Sequence, residues 1–213
     1  MLNVFKNILI FLIITAVLLS IYLIFFNLKF EKKNKDYTYY YQLAIDNYAN
    51  EVKIFAKKYD IPASYLMALI MLESSGRKPA PIRFEKGVFE QLSNLQKMNI
   101  SNFEDLKPLD LKNYSKHQIK ELSKSYGPFQ IMGYKTIKLG IDIDDLHNKN
   151  AIKYGVYWIN KDYGFLIKQG RFSDAFHFHN TGKIIPDDGK HLTHDPNYVR
   201  RGLEYMKYFS KIL

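Results

Sequence analysis

Residues 61–76 read IPASYLMALIMLESSG. Six apolar residues, Met67 to Leu72, run without relief and stop at Glu73. A helix that is apolar on every side has no face to give to water. It belongs at the centre of a fold, with other elements arranged around it. Pro62 suits the first turn of such a helix, and Ser74-Ser75-Gly76 suits its end. A Glu that merely marks a helix end is normally wet and idle. Glu73 follows a turn with almost nothing polar to turn outward, which disfavours its charged form.

The rest of the soluble chain also reads as helical. Between Tyr39 and Tyr59, apolar residues recur at Tyr41, Ile45, Tyr48, Val52, Phe55, Ala56 and Tyr59, one stripe at helical spacing. Further helices are predicted over Glu85–Met98, Lys116–Lys124, Gly133–Gly140, Asn148–Asn160, Tyr163–Lys168, Phe172–Phe178 and Pro196–Ile212. Ser125-Tyr126-Gly127-Pro128 is a turn, and residues 183–195 form a loop. No alternating run is long enough to predict a strand, and no internal repeat is present. The expected class is all-α or mainly α. Residues 99–124 are long and polar and are expected to form a lid or a partner surface.

The first segment carries different information. No charged residue occurs from Asn7 to Leu28, and residues 8–26 are almost wholly apolar. That is about the length of a helix that crosses a bilayer. A cleaved signal peptide would show a shorter apolar core and a small-x-small site after it, and none follows Tyr22. The expected organisation is a transmembrane anchor over 1–28, a charged linker over 29–37 and one domain over 38–213. Lys29, Lys32, Lys33 and Lys35 follow the span, against Lys6 and the amino terminus before it. Taken alone, this charge bias would leave the domain in the cytoplasm.

Net charge is +10, from 31 Lys+Arg against 21 Asp+Glu, which favours an anionic polymer or surface as partner. There is no cysteine, so disulfides, thiolate metal sites and a cysteine nucleophile are excluded. The lysines are scattered, and no nucleic-acid-binding motif accompanies them, so no nucleic-acid partner is expected.

Four short motifs carry the candidate chemistry. Glu73-Ser74 ends the apolar helix. Tyr126-Gly127-Pro128-Phe129-Gln130-Ile131-Met132 places an amide, Gln130, between apolar neighbours, where it needs a partner. Ala175-Phe176-His177-Phe178-His179-Asn180-Thr181-Gly182 ends another helix, and Asn197-Tyr198-Val199 opens the last one. A carboxyl at the mouth of an apolar pocket can hold a proton near neutral pH, as a general acid for glycosidic cleavage must.

Together and in this order, the motifs resemble those of the goose-type-lysozyme-like lytic transglycosylases and related bacterial muramidases. The resemblance covers about residues 50–210. Arg83-Phe84-Glu85 with Val88-Phe89, and the stretch from Ser125 to Gly133, are most similar to a phage-type N-acetylmuramidase branch. The resemblance implies a lysozyme-like fold and cleavage of the β-1,4 bond between N-acetylmuramic acid and N-acetylglucosamine in peptidoglycan. It implies that Glu73 is the acid and that Tyr198 holds it. It also implies that Ser74, Gln130, Met132, His179, Asn180 and Tyr198 meet the substrate. A transglycosylase needs no second carboxylate and leaves a 1,6-anhydro product. A hydrolytic muramidase needs one, and Glu85 is the candidate, with a solvated helix start as its ordinary explanation.

The family's Tyr before Asn is His179 here. A non-catalytic wall-binding protein on the same fold is the alternative that this departure favours. A zinc peptidase is suggested by His177-x-His179 and His191-x-x-His194, but no Glu general base sits beside either pair. No metal or cofactor is expected. The expected place is the cytoplasmic membrane, single-pass through residues 8–26, with the domain facing the periplasm or cell wall. The catalytic pattern thereby outranks the lysine bias.

Overall fold

The structure is a computed structural model that describes residues 2–213, with side chains described over 15–26 and 38–213. It is mainly α, with 62% helix and 5% strand. The chain divides into two compact units, Met1–Tyr40 and Tyr41–Leu213. Helix α1 is assigned to Leu2–Tyr59. In the first unit, every large apolar side chain from Val17 to Phe26 is exposed. Among the described residues, no helix is long and apolar enough to cross a membrane. The expected span of residues 8–26 lies partly outside the residues with described side chains, and the expected linker, 29–37, lies wholly outside them.

The second unit is built around α2, Ala63–Ser74. Every residue from Ser64 to Met71 is buried, as an element with no polar face requires. The end of α1 packs on this core through Ala44, Tyr48, Ala49, Val52 and Ala56. They form one face of the helix; of the apolar stripe expected from the sequence, Tyr48, Val52 and Ala56 are buried, and Tyr41, Ile45, Phe55 and Tyr59 are half-buried. The chain leaves α1 at Asp60, in the left-handed region at φ 55°, and restarts after Pro62. The main partner of α2 is the last helix, α8 (Tyr198–Phe209), which also meets α7 (Phe172–Thr181). A Cβ on Gly202 in α8 would lie 2.9 Å from the Phe176 ring, so a glycine is needed for this approach.

Helix α6 runs over Ala151–Lys168, with a kink at Tyr163 (φ −142°, ψ 16°). The two helices expected there meet at this non-helical residue. A second, smaller core lies between α3 (Lys86–Gln96), a 3-10 turn over Pro108–Leu111 and α4 (Lys116–Leu122). Leu92, Leu95, Leu106, Leu111, Ile119, Leu122 and Tyr134 form it. Residues 99–124, expected as a lid or partner surface, supply Leu106, Leu111, Ile119 and Leu122 to this core. Leu106 and Leu111 are fully buried, and Gln96 Nε2 donates to the carbonyls of Leu111 (2.9 Å) and Tyr114 (2.6 Å). Sparse apolar residues in a polar stretch hide this role, because each serves one contact and none repeats.

A three-stranded antiparallel sheet joins the two cores: β1 (Arg83–Phe84), β2 (Lys124–Tyr126) and β3 (Ile131–Met132), in that order. Arg83 pairs with Ser125, and Ser125 with Met132. The absence of strands expected from the sequence is corrected here. Strands of two or three residues are too short to show an alternating pattern.

The β2–β3 turn, Gly127 to Gln130, is clamped by its surroundings. Gly127 sits at φ 71°, where a Cβ would stand 1.9 Å from the Leu146 carbonyl oxygen. Phe129 is buried against Gly155 of α6, where a Cβ would stand 2.3 Å from its ring. Gly155→Ala sets two effects against each other. Helix propensity would gain about 1 kcal/mol, and overpacking would cost about 1–3 kcal/mol. With the Cβ at 2.3 Å from the ring we expect overpacking to win, with a net loss of up to about 2 kcal/mol, read as a lower urea midpoint at unchanged m-value. A stabilised variant would mean that the Phe129 ring is free to move.

Candidate active site

Glu73 occupies the last turn of α2, and its side chain is 13% exposed. The Tyr198 hydroxyl, at the start of α8, donates a hydrogen bond to its Oε1. His179 of α7 places Nε2 at 3.9 Å from the same oxygen. Burial pushes the Glu73 carboxyl up from the ordinary carboxylate range to about 7. The Tyr198 bond and the charges of Arg83 and Arg201 pull the other way and do not win. Burial and the Glu73 carboxylate push the Tyr198 phenol well up, so Tyr198 stays a donor.

His179 bonds at both nitrogens. Nδ1 lies 2.6 Å from the Tyr163 hydroxyl, and Nε2 lies 2.9 Å from the Phe129 carbonyl oxygen. Burial pulls its pKa down to about 4, against the Phe129 bond, which raises it. At neutral pH the ring is uncharged.

Gln130 holds φ 49° and ties three segments together. Its Nε2 donates to the carbonyls of Pro81 (2.6 Å) and Gly127 (2.9 Å), and its Oε1 accepts from Ser125 Oγ (2.9 Å). The partner that the sequence demanded for this amide is thus present. A cleft of about 530 Å³ opens beside it, lined in part by Gln130, Met132, Trp158, His179 and Asn180. Four of the expected substrate-facing residues meet there. Glu73 is not in the lining but lies behind it, beside His179.

Ser74 is placed otherwise. It is buried, its hydroxyl donates to the Ile70 carbonyl (2.9 Å), and it is not part of the cleft lining. A serine that closes a helix on its own turn needs no ligand. Glu85 is exposed at the start of α3, with extended backbone at φ −107°, ψ 98°. Glu85 is not part of the cleft lining.

Sequence reasoning missed Arg201, Tyr163 and Trp158. Arg201 stands three residues after Tyr198, hence on the same helix face, and that spacing was a usable signal. Tyr163 and Trp158 lie on α6 far along the chain, and no local pattern marks them.

Two of the four histidines suggested for zinc, His177 and His179, are committed to other bonds. His177 and His179 are two apart on a helix and point about 200° apart. His177 Nδ1 bonds the Lys183 carbonyl at 2.7 Å, and its Nε2 accepts from the Leu192 N–H at 2.9 Å. Among the described residues, no group of three or more His, Cys, Asp or Glu is arranged to hold a metal ion. No family model matches the chain, and neither a curated protein nor a solved structure matches it.

The raised pKa has a consequence for stability. The folded protein holds the Glu73 proton more tightly than the unfolded chain does, whose carboxyl titrates near 4.5. This contribution is full below about pH 4.5 and is lost as pH rises through about 7. Glu73→Gln cannot ionise, so its stability relative to the parent should be near zero at acid pH. It should grow to on the order of 3 kcal/mol in its favour above neutral pH. Urea unfolding of both proteins across pH checks this; a pH-independent difference would show that Glu73 ionises as freely folded as unfolded.

Proposed function

We propose that this chain cleaves peptidoglycan glycan strands at the bond from N-acetylmuramic acid to N-acetylglucosamine, as a lytic transglycosylase with a lysozyme-like domain. The observation that carries the reading is the buried Glu73 carboxyl, bonded by Tyr198 and titrating at about 7. Such a group is still substantially protonated at neutral pH and can act as a general acid. Residues 8–26 anchor the chain in the cytoplasmic membrane, and the domain faces the periplasm or cell wall. The +10 net charge suits an anionic wall polymer.

In the first step Glu73 gives its proton to the glycosidic oxygen, and the bond from C1 to that oxygen breaks. The Glu73 carboxylate that results is stabilised by the Tyr198 hydroxyl and by Arg83 and Arg201, which already act on it. It then takes the proton of the muramoyl 6-hydroxyl as that oxygen bonds to C1. The 1,6-anhydro ring closes, and the acid is regenerated. One carboxyl suffices. The charges that act on Glu73 are both cationic, which supports the single-carboxylate route.

A hydrolytic muramidase is the second reading, and Glu85 favours it. Glu85 is exposed and two residues from Arg83, whose charge acts on Glu73, and it would be the carboxylate that activates water.

Digestion of purified peptidoglycan followed by mass spectrometry separates the two. Anhydro products lie one water, about 18 Da, below hydrolytic ones. We expect anhydro ends, unaffected by Glu85→Gln; reducing ends lost in Glu85→Gln would assign hydrolysis instead. Glu73→Gln should abolish cleavage by either route while remaining folded. Cleavage should also fall as pH rises through about 7, where Glu73 loses its proton. Normal cleavage by folded Glu73→Gln would remove the proposal.

A further inference from the structure

His179 stands where the resembling family has a tyrosine, and its surroundings define its chemistry. The Phe129 carbonyl oxygen can only accept, so the hydrogen between it and Nε2 belongs to the imidazole. In a neutral ring that leaves Nδ1 as a lone pair, and the Tyr163 hydroxyl must donate to it. The side chain is 4% exposed. Both nitrogens are therefore spent on the protein, and little of the ring is left for a substrate. Three elements meet here: α7 carries the ring, α6 carries Tyr163, and the β2–β3 turn carries Phe129 and, next to it, Gln130.

We propose that His179 is a positioning residue, acting as the neutral Nε2–H tautomer to fasten α7 to the β2–β3 turn at Phe129 and to present an uncharged ring to Glu73. This assignment rests on the glycan-cleaving reading for its effect on activity, but not for its tautomer. A charged ring 3.9 Å from Glu73 Oε1 would pair with the carboxylate and hold the acid in its deprotonated form. The titratable groups around the ring are Tyr163 from α6 and Glu73 from α2; Tyr198 and Arg201 from α8 lie behind Glu73. Low solvent access keeps the ring neutral, and Glu73 itself holds a proton up to about pH 7.

Two substitutions and one spectrum test this on the full chain. Glutamine can place an amide N–H near the position of Nε2 and cannot become a cation. His179→Gln should retain clearly more of the cleavage rate than His179→Phe does, and it should keep the fall through about pH 7. Phenylalanine keeps the ring shape and loses both bonds. His179→Phe should lose at least about tenfold in kcat/KM, because the Phe129 carbonyl and Tyr163 hydroxyl are left unpaired in a buried place. The ring nitrogen shifts of 15N-histidine-labelled protein should show His179 as the Nε2–H tautomer from about pH 5.5 to about pH 8. A charged ring or an Nδ1–H tautomer in that range overturns the proposal, whether or not His179→Phe folds. So does full activity in folded His179→Phe. If folded His179→Gln is as inactive as His179→Phe, His179 moves a proton itself and the positioning role is wrong. Activity remaining in Glu73→Gln would sink the functional reading alone, since the tautomer is read independently of it.

Discussion

A carboxyl buried at the end of a helix with no wet side is the constraint to which the rest of the domain answers. Helix α2 is buried from Ser64 to Met71, so other elements must enclose it. Enclosure carries Glu73 in with it. Burial raises the carboxyl to about 7, and the Tyr198 hydroxyl supplies the one strong bond that makes the site tolerable. The packing of α8 on α2 therefore serves two ends at once. It closes the core through Val199, Tyr205 and Phe209, and it brings Tyr198 onto Glu73.

The β2–β3 turn is the second fixed point. Three of its four residues, Gly127, Phe129 and Gln130, are each held by something different. Gly127 lies under the Leu146 carbonyl, and Phe129 lies against Gly155. His179 bonds the Phe129 carbonyl, and Gln130 spans Pro81, Gly127 and Ser125. A turn clamped from several sides costs little reorganisation when a ligand arrives, which is what a cleft wall needs. It also explains a left-handed, non-glycine Gln130, since its side-chain bonds replace the freedom that a glycine would have offered.

Much of this was legible in the chain, and the failures follow a physical pattern. The centrality of α2 was legible because apolarity on all faces has one solution. Glu73, Gln130, His179, Asn180 and Tyr198 were legible as a set because they lie in short motifs. The strands were not, because strands of two or three residues carry no period. The second core was not, because Leu106 and Leu111 are isolated in a polar stretch. Ser74 stands apart from the cleft lining although it follows Glu73, because one step along a helix turns a side chain by about 100°. Arg201 and Tyr163 come from remote elements, and only the tertiary fold brings them in.

Glu73 and His179 are displaced in opposite directions by one cause. Burial disfavours charge, so the acid is raised to about 7 and the base is lowered to about 4. Between those values the pair at 3.9 Å is neutral on both sides and is not an ion pair. The two shifts also act oppositely on stability. As pH rises from about 4.5 toward 7, Glu73 gives up a contribution that its bound proton had made. As pH rises from about 4 toward 6.5, His179 recovers one, because the unfolded imidazole must lose its proton before folding is free of that cost. Over the shared window the slopes oppose each other. A mildly acidic to neutral environment leaves this site folded and the acid loaded, without either group having to hold a charge in a place that cannot solvate it.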